Sequence, residues 1–225
     1  MTIASEQPTS MSEQDQAQYW ERYYAERKST KVPVPSQFAA FLAQEIPDNA
    51  TVVDVGCGNG RDSIFFAAQA HPVLGLDGSH AAIDACRTVA SAAGVDHARF
   101  ETVGVTDASF GSVLRRLVAE ARGPVVVYAR FFLHAITDDA QAEMISAVAA
   151  ALRPDDLFAV EYRTTKDAAL IKETAEHYRR YIDPAQLIVE VCRQGFAVDY
   201  AVEGFGYAKY RHDDAHIARA IFRSE

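Results

Sequence analysis

Residues 51–62 read TVVDVGCGNGRD. An apolar run carries Asp54 near its end, Gly56, Gly58 and Gly60 follow at every second position, and a helical pattern opens at Arg61. A glycine-rich turn between a strand and a helix lets a ligand approach the backbone closely. The spacing is G-x-G-x-G, and Arg61 stands where a dinucleotide turn wants its third glycine. A carboxylate at Asp54, beside the turn, would repel a pyrophosphate and suit a cation. Asp77 ends the next apolar run, roughly twenty residues past the first glycine, where an acid bonds ribose hydroxyls. Each residue also has a plain structural use: glycines make turns, Asp77 can cap the helix that begins near Ser79, and Asp54 can be a solvated strand end.

A ligand with a ribose and a positively charged head satisfies both acids, and S-adenosylmethionine is such a ligand. Methyl transfer from a sulfonium is an in-line displacement that needs alignment and exclusion of water. A neutral alcohol acceptor also needs a base. His134, in YARFFLHAI, is read as that base because imidazole titrates near neutral pH; the alternative is a histidine that caps the next helix or packs beneath a loop. Arg130 can bond the cofactor's carboxylate or pair with a surface acid. Phe131 and Phe132 suit the core or an adenine wall. EYRTTKD (161–167) and HYRRYID (177–183) bring Glu161, Arg163, Tyr178, Arg180 and Tyr181 toward the cleft mouth. Forked donors and aromatics of this kind serve polyhydroxylated or anionic acceptors, while a solvated helix face is the alternative. Glu161 is the second candidate for proton transfer. Asp138 and Asp139 are adjacent and read as helix N-terminal acids, not as metal ligands.

The elements that must position these groups follow from periodicity. Strand patterns lie at 51–55, 71–77, 97–103, 125–133 and 157–163, with helical patterns between them. Ser79 and Thr137 read as N-caps, Gly94 and Gly195 as C-terminal stops, and Pro184 as a first-turn residue. Alternation of this kind builds a doubly wound, mostly parallel sheet. The last two strand patterns, FAVDYAVEG and HIARAIFRS, are joined by a loop too short for a crossover, so they form an antiparallel pair at the sheet's edge. Ahead of residue 50, DQAQYWERYYAERKS is an aromatic amphipathic helix and KVPVPSQFAAFLAQEIP runs through prolines into a second. Residues 1–15 read as a flexible tail and 16–225 as one domain. Within it, residues 16–49 form a helical lid that brings Tyr24 to the substrate. Met11 is a possible initiator.

The 225 residues carry 31 acidic and 22 basic side chains, a net charge of −9, which argues against a nucleic-acid partner. Cys57, Cys86 and Cys192 form no Cys-x-x-Cys pair, which excludes a zinc knuckle and suits a reducing compartment. There is no secretory signal pattern or apolar span, so the expectation is a soluble cytoplasmic protein without a membrane partner. The oligomeric state is open, a homodimer being one option.

VVDVGCGNGRDS followed by GLDGS resembles the signature of the class I S-adenosylmethionine-dependent methyltransferases. The likeness continues through YARFFLHAI to ARAIFRS, about residues 30–225. The resemblance implies a seven-stranded Rossmann-like sheet with one antiparallel edge strand. S-adenosylhomocysteine would be the product. It implies that Asp54, Gly56, Gly58 and Gly60 hold the methionine portion and Asp77 the ribose, with Gly78 and Ser79 beside it. Val105 and Thr106 fall where the family packs adenine, although VGVTD lacks the usual acid there and Asp107 is the nearest substitute. Asn59, Arg61, Ser36 and Arg130 complete the expected cofactor contacts. The polar clusters resemble methyltransferases of sugar and polysaccharide synthesis, which implies O-methylation of a sugar or glycan hydroxyl. A small thiol or aromatic acceptor, or a non-catalytic cofactor-binding protein, is the alternative. Magnesium assists some sugar methyltransferases, but no carboxylate triad supports it here.

Overall fold

A computed structural model describes residues 12–27, 29–31, 33–170, 172, 178–209 and 212–225. Met11, most of the expected tail and His177 lie outside the described residues. Two helices, α1 (Glu13–Ala25) and α2 (Gln37–Glu45), precede the first strand. The chain then alternates β1 (Thr51–Val55), α3 (Arg61–Ala68), β2 (Val73–Asp77), α4 (His80–Ala93), β3 (Ala98–Thr102), α5 (Phe110–Glu120) and β4 (Val125–Arg130). It continues through α6 (Asp138–Ala151), β5 (Leu157–Arg163), α7 (Pro184–Cys192), β6 (Phe196–Gly204) and β7 (Ile217–Ser224).

The strands form one sheet in the order β3-β2-β1-β4-β5-β7-β6. The first five are mutually parallel, and β7 runs antiparallel to both β5 and β6. The antiparallel pair thus closes one edge, with β7 threaded inside β6. From β1 the chain winds outward to β3, then returns and winds the other way from β4. The crevice above the carboxyl ends of β1 and β4 is therefore the topological switch point, where open α/β sheets place their ligands.

Local chemistry explains the elements. Every residue of β1 is buried, as a central parallel strand requires. Along α5, Phe110, Val113, Leu114, Leu117 and Val118 are buried at helical spacing. Ser79, Thr137 and Ser36 each accept a backbone N–H as N-caps, and Gly94 ends α4 in the left-handed region. Pro184 opens α7 behind an Asp183 cap. Two apolar layers sandwich the sheet. Val53 and Val55 pack on the α5–α6 side, Val52 and Val126 on the α2–α3 side. The strand expected to reach residue 133 stops at Arg130, because Phe131 turns into the left-handed region at φ +53°. A bulky residue there is strained, which marks the turn as a place to look for function.

Candidate active site

A cavity opens at the switch point. Its floor is Val55 and Gly56, and Asp77, Gly78 and Ser79 stand at one end. Val103, Gly104, Val105 and Thr106 form one wall, and Phe131, Phe132 and residues 135–137 form the other. Gln16, Ala17, Trp20 and Tyr24 of α1 cover it.

The glycine turn is built for close approach. Gly56 and Gly58 have φ of +69° and +56°, so a side chain is strained at either. A Cβ on Gly56 would run into the Phe132 ring, and one on Gly58 into the Tyr24 hydroxyl. The turn is locked to β2 through Asp77. Its Oδ2 accepts the Gly58 N–H at 2.9 Å and its Oδ1 the Ser79 N–H at 2.9 Å. Burial pushes the Asp77 carboxyl up, while the two N–H groups pull it back down. Asp77 lines the cavity, and its carboxylate has acceptor capacity beyond these two bonds. The apolar slot between Val103, Val105 and Ile136 suits a flat aromatic ring. Burial raises the Tyr24 hydroxyl well above its ordinary value, so it stays protonated.

Among the expected cofactor residues, the structure brings Gly56, Asp77, Gly78, Ser79, Val105 and Thr106 together around this cavity. Tyr24, expected at the substrate, lines the cavity with its hydroxyl over the glycine turn. Asp54 does not line the cavity. The two-residue period of β1 puts it on the face of Val52, opposite Val55. There it is 3 % exposed and accepts the Ser63 hydroxyl at 2.6 Å. Burial, and then the neighbouring Asp62, raise its pKa to about 7. Asn59 is exposed at the outer edge of the turn. Arg61 donates to the carbonyls of Val34 (2.7 Å) and Pro35 (3.3 Å), tying down the chain ahead of α2. Ser36 caps α2, takes Asp62 through its N–H at 2.8 Å and meets the Tyr128 hydroxyl at 3.2 Å. Asn59, Arg61 and Ser36 thus frame the site without lining it.

The groups expected to do chemistry beyond β4 are turned to one another. Glu161 is fully buried and accepts Arg130 Nε at 2.8 Å and Arg219 Nε at 2.7 Å. Burial pushes its carboxyl up against the pull of both guanidiniums. A carboxylate held this way is the centre of an ion-pair cluster to which Arg130 Nε is committed. Arg163 forks onto Asp167 and Asp213, both at 2.7 Å. Arg180 donates to the carbonyls of Leu133 (2.9 Å) and Ile136 (2.6 Å), to Gln141 Oε1 (2.8 Å), and to Asp138. It straps the post-β4 turn to α6. Tyr178 and Tyr181 are half-buried on the segment beyond, and Lys172 lies over the Tyr181 ring. His134 is 5 % exposed, and its Nδ1 accepts the Arg163 N–H at 3.3 Å. With Nδ1 accepting, a neutral ring carries its proton on Nε2. His134 does not line the cavity.

The sequence reading did not assign Gln16, Val103, Ile136 and Thr137, all of which line the cavity. A signal existed for α1: residues 16, 20 and 24 fall on one helix face at four-residue spacing. Among the described residues, no group of three or more His, Cys, Asp or Glu is placed to hold a metal ion. Asp138 and Asp139 lie in the first turn of α6. No helix among the described residues is long and apolar enough to cross a membrane.

A doubly wound seven-stranded sheet with β7 antiparallel is the fold of the class I S-adenosylmethionine-dependent methyltransferases. A family model for the methyltransferase domain matches residues 14–208, and the chain belongs to that family. No curated protein matches the sequence. Among solved structures, it is similar to an S-adenosylmethionine-dependent methyltransferase from Anabaena variabilis, with TM-score 0.72, 16% identity and full coverage of both chains. It is also similar to a protein studied for the conversion of a disulfide bond into a thioacetal group during echinomycin biosynthesis. That likeness has TM-score 0.71 and 19% identity over 93% of this chain and 92% of that one. A third likeness is to magnesium protoporphyrin IX methyltransferase from Synechocystis with bound S-adenosylmethionine. It has TM-score 0.58 and 18% identity over 83% of this chain and 76% of that one.

Proposed function

We propose that the chain methylates a small thiol or aromatic metabolite that enters beside Trp20 and Phe132. Bound S-adenosylmethionine supplies a methyl group on a sulfonium. Asp77 would hold the ribose, and the slot between Val103, Val105 and Ile136 the adenine. Trp20 and Tyr24 on α1 would keep water out of the closed site.

The observation that carries the acceptor class is the lining itself. Among its described residues, Asp77 and Tyr24 are the ones with titratable side chains, and Asp77 is engaged by two N–H groups. A thiol, with an ordinary pKa of about 8.5, presents thiolate near neutral pH without help from a protein base. An aliphatic alcohol does not, and its methylation calls for a positioned base. The protein's contribution is then alignment and exclusion of water, supplied by aromatic surfaces. The sugar or glycan hydroxyl expected from the sequence leaned on His134, Glu161, Arg163, Tyr178, Arg180 and Tyr181. Glu161, Arg163, Arg180 and His134 are engaged with protein groups, which weighs against that reading.

The test is an acceptor panel with methyl-labelled S-adenosylmethionine, containing thiols, phenols and arylamines alongside sugars. Label on a thiol or aromatic member is the expected result. Label confined to sugars would restore the hydroxyl reading. Cofactor binding with no transfer to any member would favour a non-catalytic binder.

A further inference from the structure

We propose that Glu21 is a latch that holds α1 closed over the cofactor and ties that closure to the carboxylate at Asp77. The proposal rests on the cavity being the cofactor site.

Glu21 sits on α1 between Trp20 and Tyr24 in the chain, on the flank that meets α4. Its Oε2 accepts the Ser79 hydroxyl at 2.7 Å, and its two oxygens lie 3.2 and 3.3 Å from the Ala81 nitrogen, which donates to them. A carboxylate at a helix N-terminus is favoured by the unpaired N–H groups there. The Ser79 hydrogen bond holds the Glu21 carboxyl below its ordinary value.

Ser79 makes the contact more than an anchor. Its oxygen also accepts the Ala82 N–H at 3.0 Å, which caps α4, and its own N–H donates to Asp77 Oδ1. Asp77 Oδ2 in turn accepts the Gly58 N–H. A continuous chain of contacts, Glu21 to Ser79 to Asp77 to Gly58, runs from the covering helix to both turns that face the ligand. The same helix returns to the glycine turn through Tyr24, whose hydroxyl stands against Gly58. Closing α1 therefore sets the position of Ser79, which orients Asp77. With the latch made, Trp20 and Tyr24 cover the cavity, and cofactor and product leave only when α1 lifts. Glu21 is a positioning residue: it touches neither acceptor nor methyl group, and it governs how long the nucleoside stays.

Trp20 is the single tryptophan of the chain and lines the cavity, so its fluorescence reports α1 directly. S-adenosylhomocysteine is bound to the full-length protein, and its dissociation is followed by stopped-flow fluorescence. In Glu21→Ala the dissociation rate rises at least about tenfold, as expected for losing hydrogen bonds to a charged group. Glu21→Gln gives a smaller rise, because its amide oxygen still accepts from Ser79. Ser79→Ala combined with Glu21→Ala dissociates no faster than the faster single variant, because both act through one contact. A contact that merely supports the fold lowers the melting temperature and leaves the dissociation rate of the folded protein alone. Equal dissociation rates in wild type and Glu21→Ala overturn the latch, as does full additivity in the double variant. If calorimetry detects binding to the wild type while Trp20 fluorescence does not respond, the cavity is not the cofactor site, and that separate failure removes the latch with it.

Discussion

At the ends of β1 and β2, Asp77 meets two backbone N–H groups and Asp54 meets a serine hydroxyl. Two strands from β1 in the same sheet, Glu161 on β5 meets two guanidiniums, and Arg163 two carboxylates. All four sit near the carboxyl ends of parallel strands, and all four are charged types. Among the described residues, neither member of the first pair forms a salt bridge; Asp77 lines the cavity and can still answer a polyhydroxylated ligand, whereas Asp54 is buried away from it. The second pair is neutralised internally and stiffens the wall behind the site. Position at a strand end thus marks where function is possible, while the internal partner decides whether the group is available for it.

The comparison is most sharply tested at Glu161. Glu161→Ala leaves Arg130 and Arg219 buried beside a vanished counter-charge. Removing one member of a buried ion pair costs about 3–5 kcal/mol. Chemical denaturation should show a loss of that size. A stable variant with slow turnover would return Glu161 to catalysis and erase the contrast between the two regions.

Asp54 should respond with the opposite sign. Its folded pKa, raised from 3.8 to about 7, means that the fold favours the protonated form. The stability this group contributes is full below about pH 4 and is lost as pH rises through about 7. Above pH 7 the ionised carboxylate is buried with the Ser63 hydroxyl as its hydrogen-bond donor. Asp54→Asn should therefore stabilise the protein by about 1–3 kcal/mol at pH 8 and leave it nearly unchanged at pH 4. Denaturation at the two pH values checks this. A destabilised variant at pH 8 would mean that Asp54 has a cationic partner after all.

Asp77→Ala should weaken S-adenosylmethionine by about 1–3 kcal/mol, the cost of leaving the ribose hydroxyls and the Gly58 and Ser79 N–H groups without their acceptor. Calorimetry reads this directly, and unchanged affinity would remove Asp77 from the ribose position.

The legibility of the chain divides along the same line. The sheet, the caps at Ser79 and Thr137 and the glycine turn are local: each depends on residues within a few positions or on a simple period. Asp77 was readable because its distance from the turn is fixed by one strand–helix–strand unit. The orientation of Asp54 was also in the sequence, since Val52 and Asp54 share a face that Val53 and Val55 do not. The pairing of Glu161 with Arg219 spans 58 positions, and that of Arg163 with Asp213 spans 50. No local pattern encodes such partners, which is why charges that close on one another were read as charges awaiting a substrate.

His134 tests the smallest effect, because the prediction is that little chemistry is lost. The histidine directly follows the post-β4 turn, where a base for the acceptor would belong, and imidazole titrates in the right range. Its geometry assigns it elsewhere. Nδ1 accepts the N–H of Arg163, the His134 carbonyl accepts the N–H of Arg180 at 2.8 Å, and the ring packs edge-on to Phe131. These contacts join the post-β4 turn to β5 and to the segment that ends in Arg180. In His134→Ala, stability should fall as that junction loosens. Turnover per folded molecule, measured with saturating cofactor and acceptor, should stay within about tenfold of wild type, against the 10²–10⁴-fold loss expected for a positioned base. The pH dependence of kcat should be the same in both proteins, because the imidazole carries no proton from the acceptor. A variant with wild-type stability, a loss beyond about 10²-fold and a vanished limb near pH 6.5 would make His134 the base and return the hydroxyl acceptor to first place.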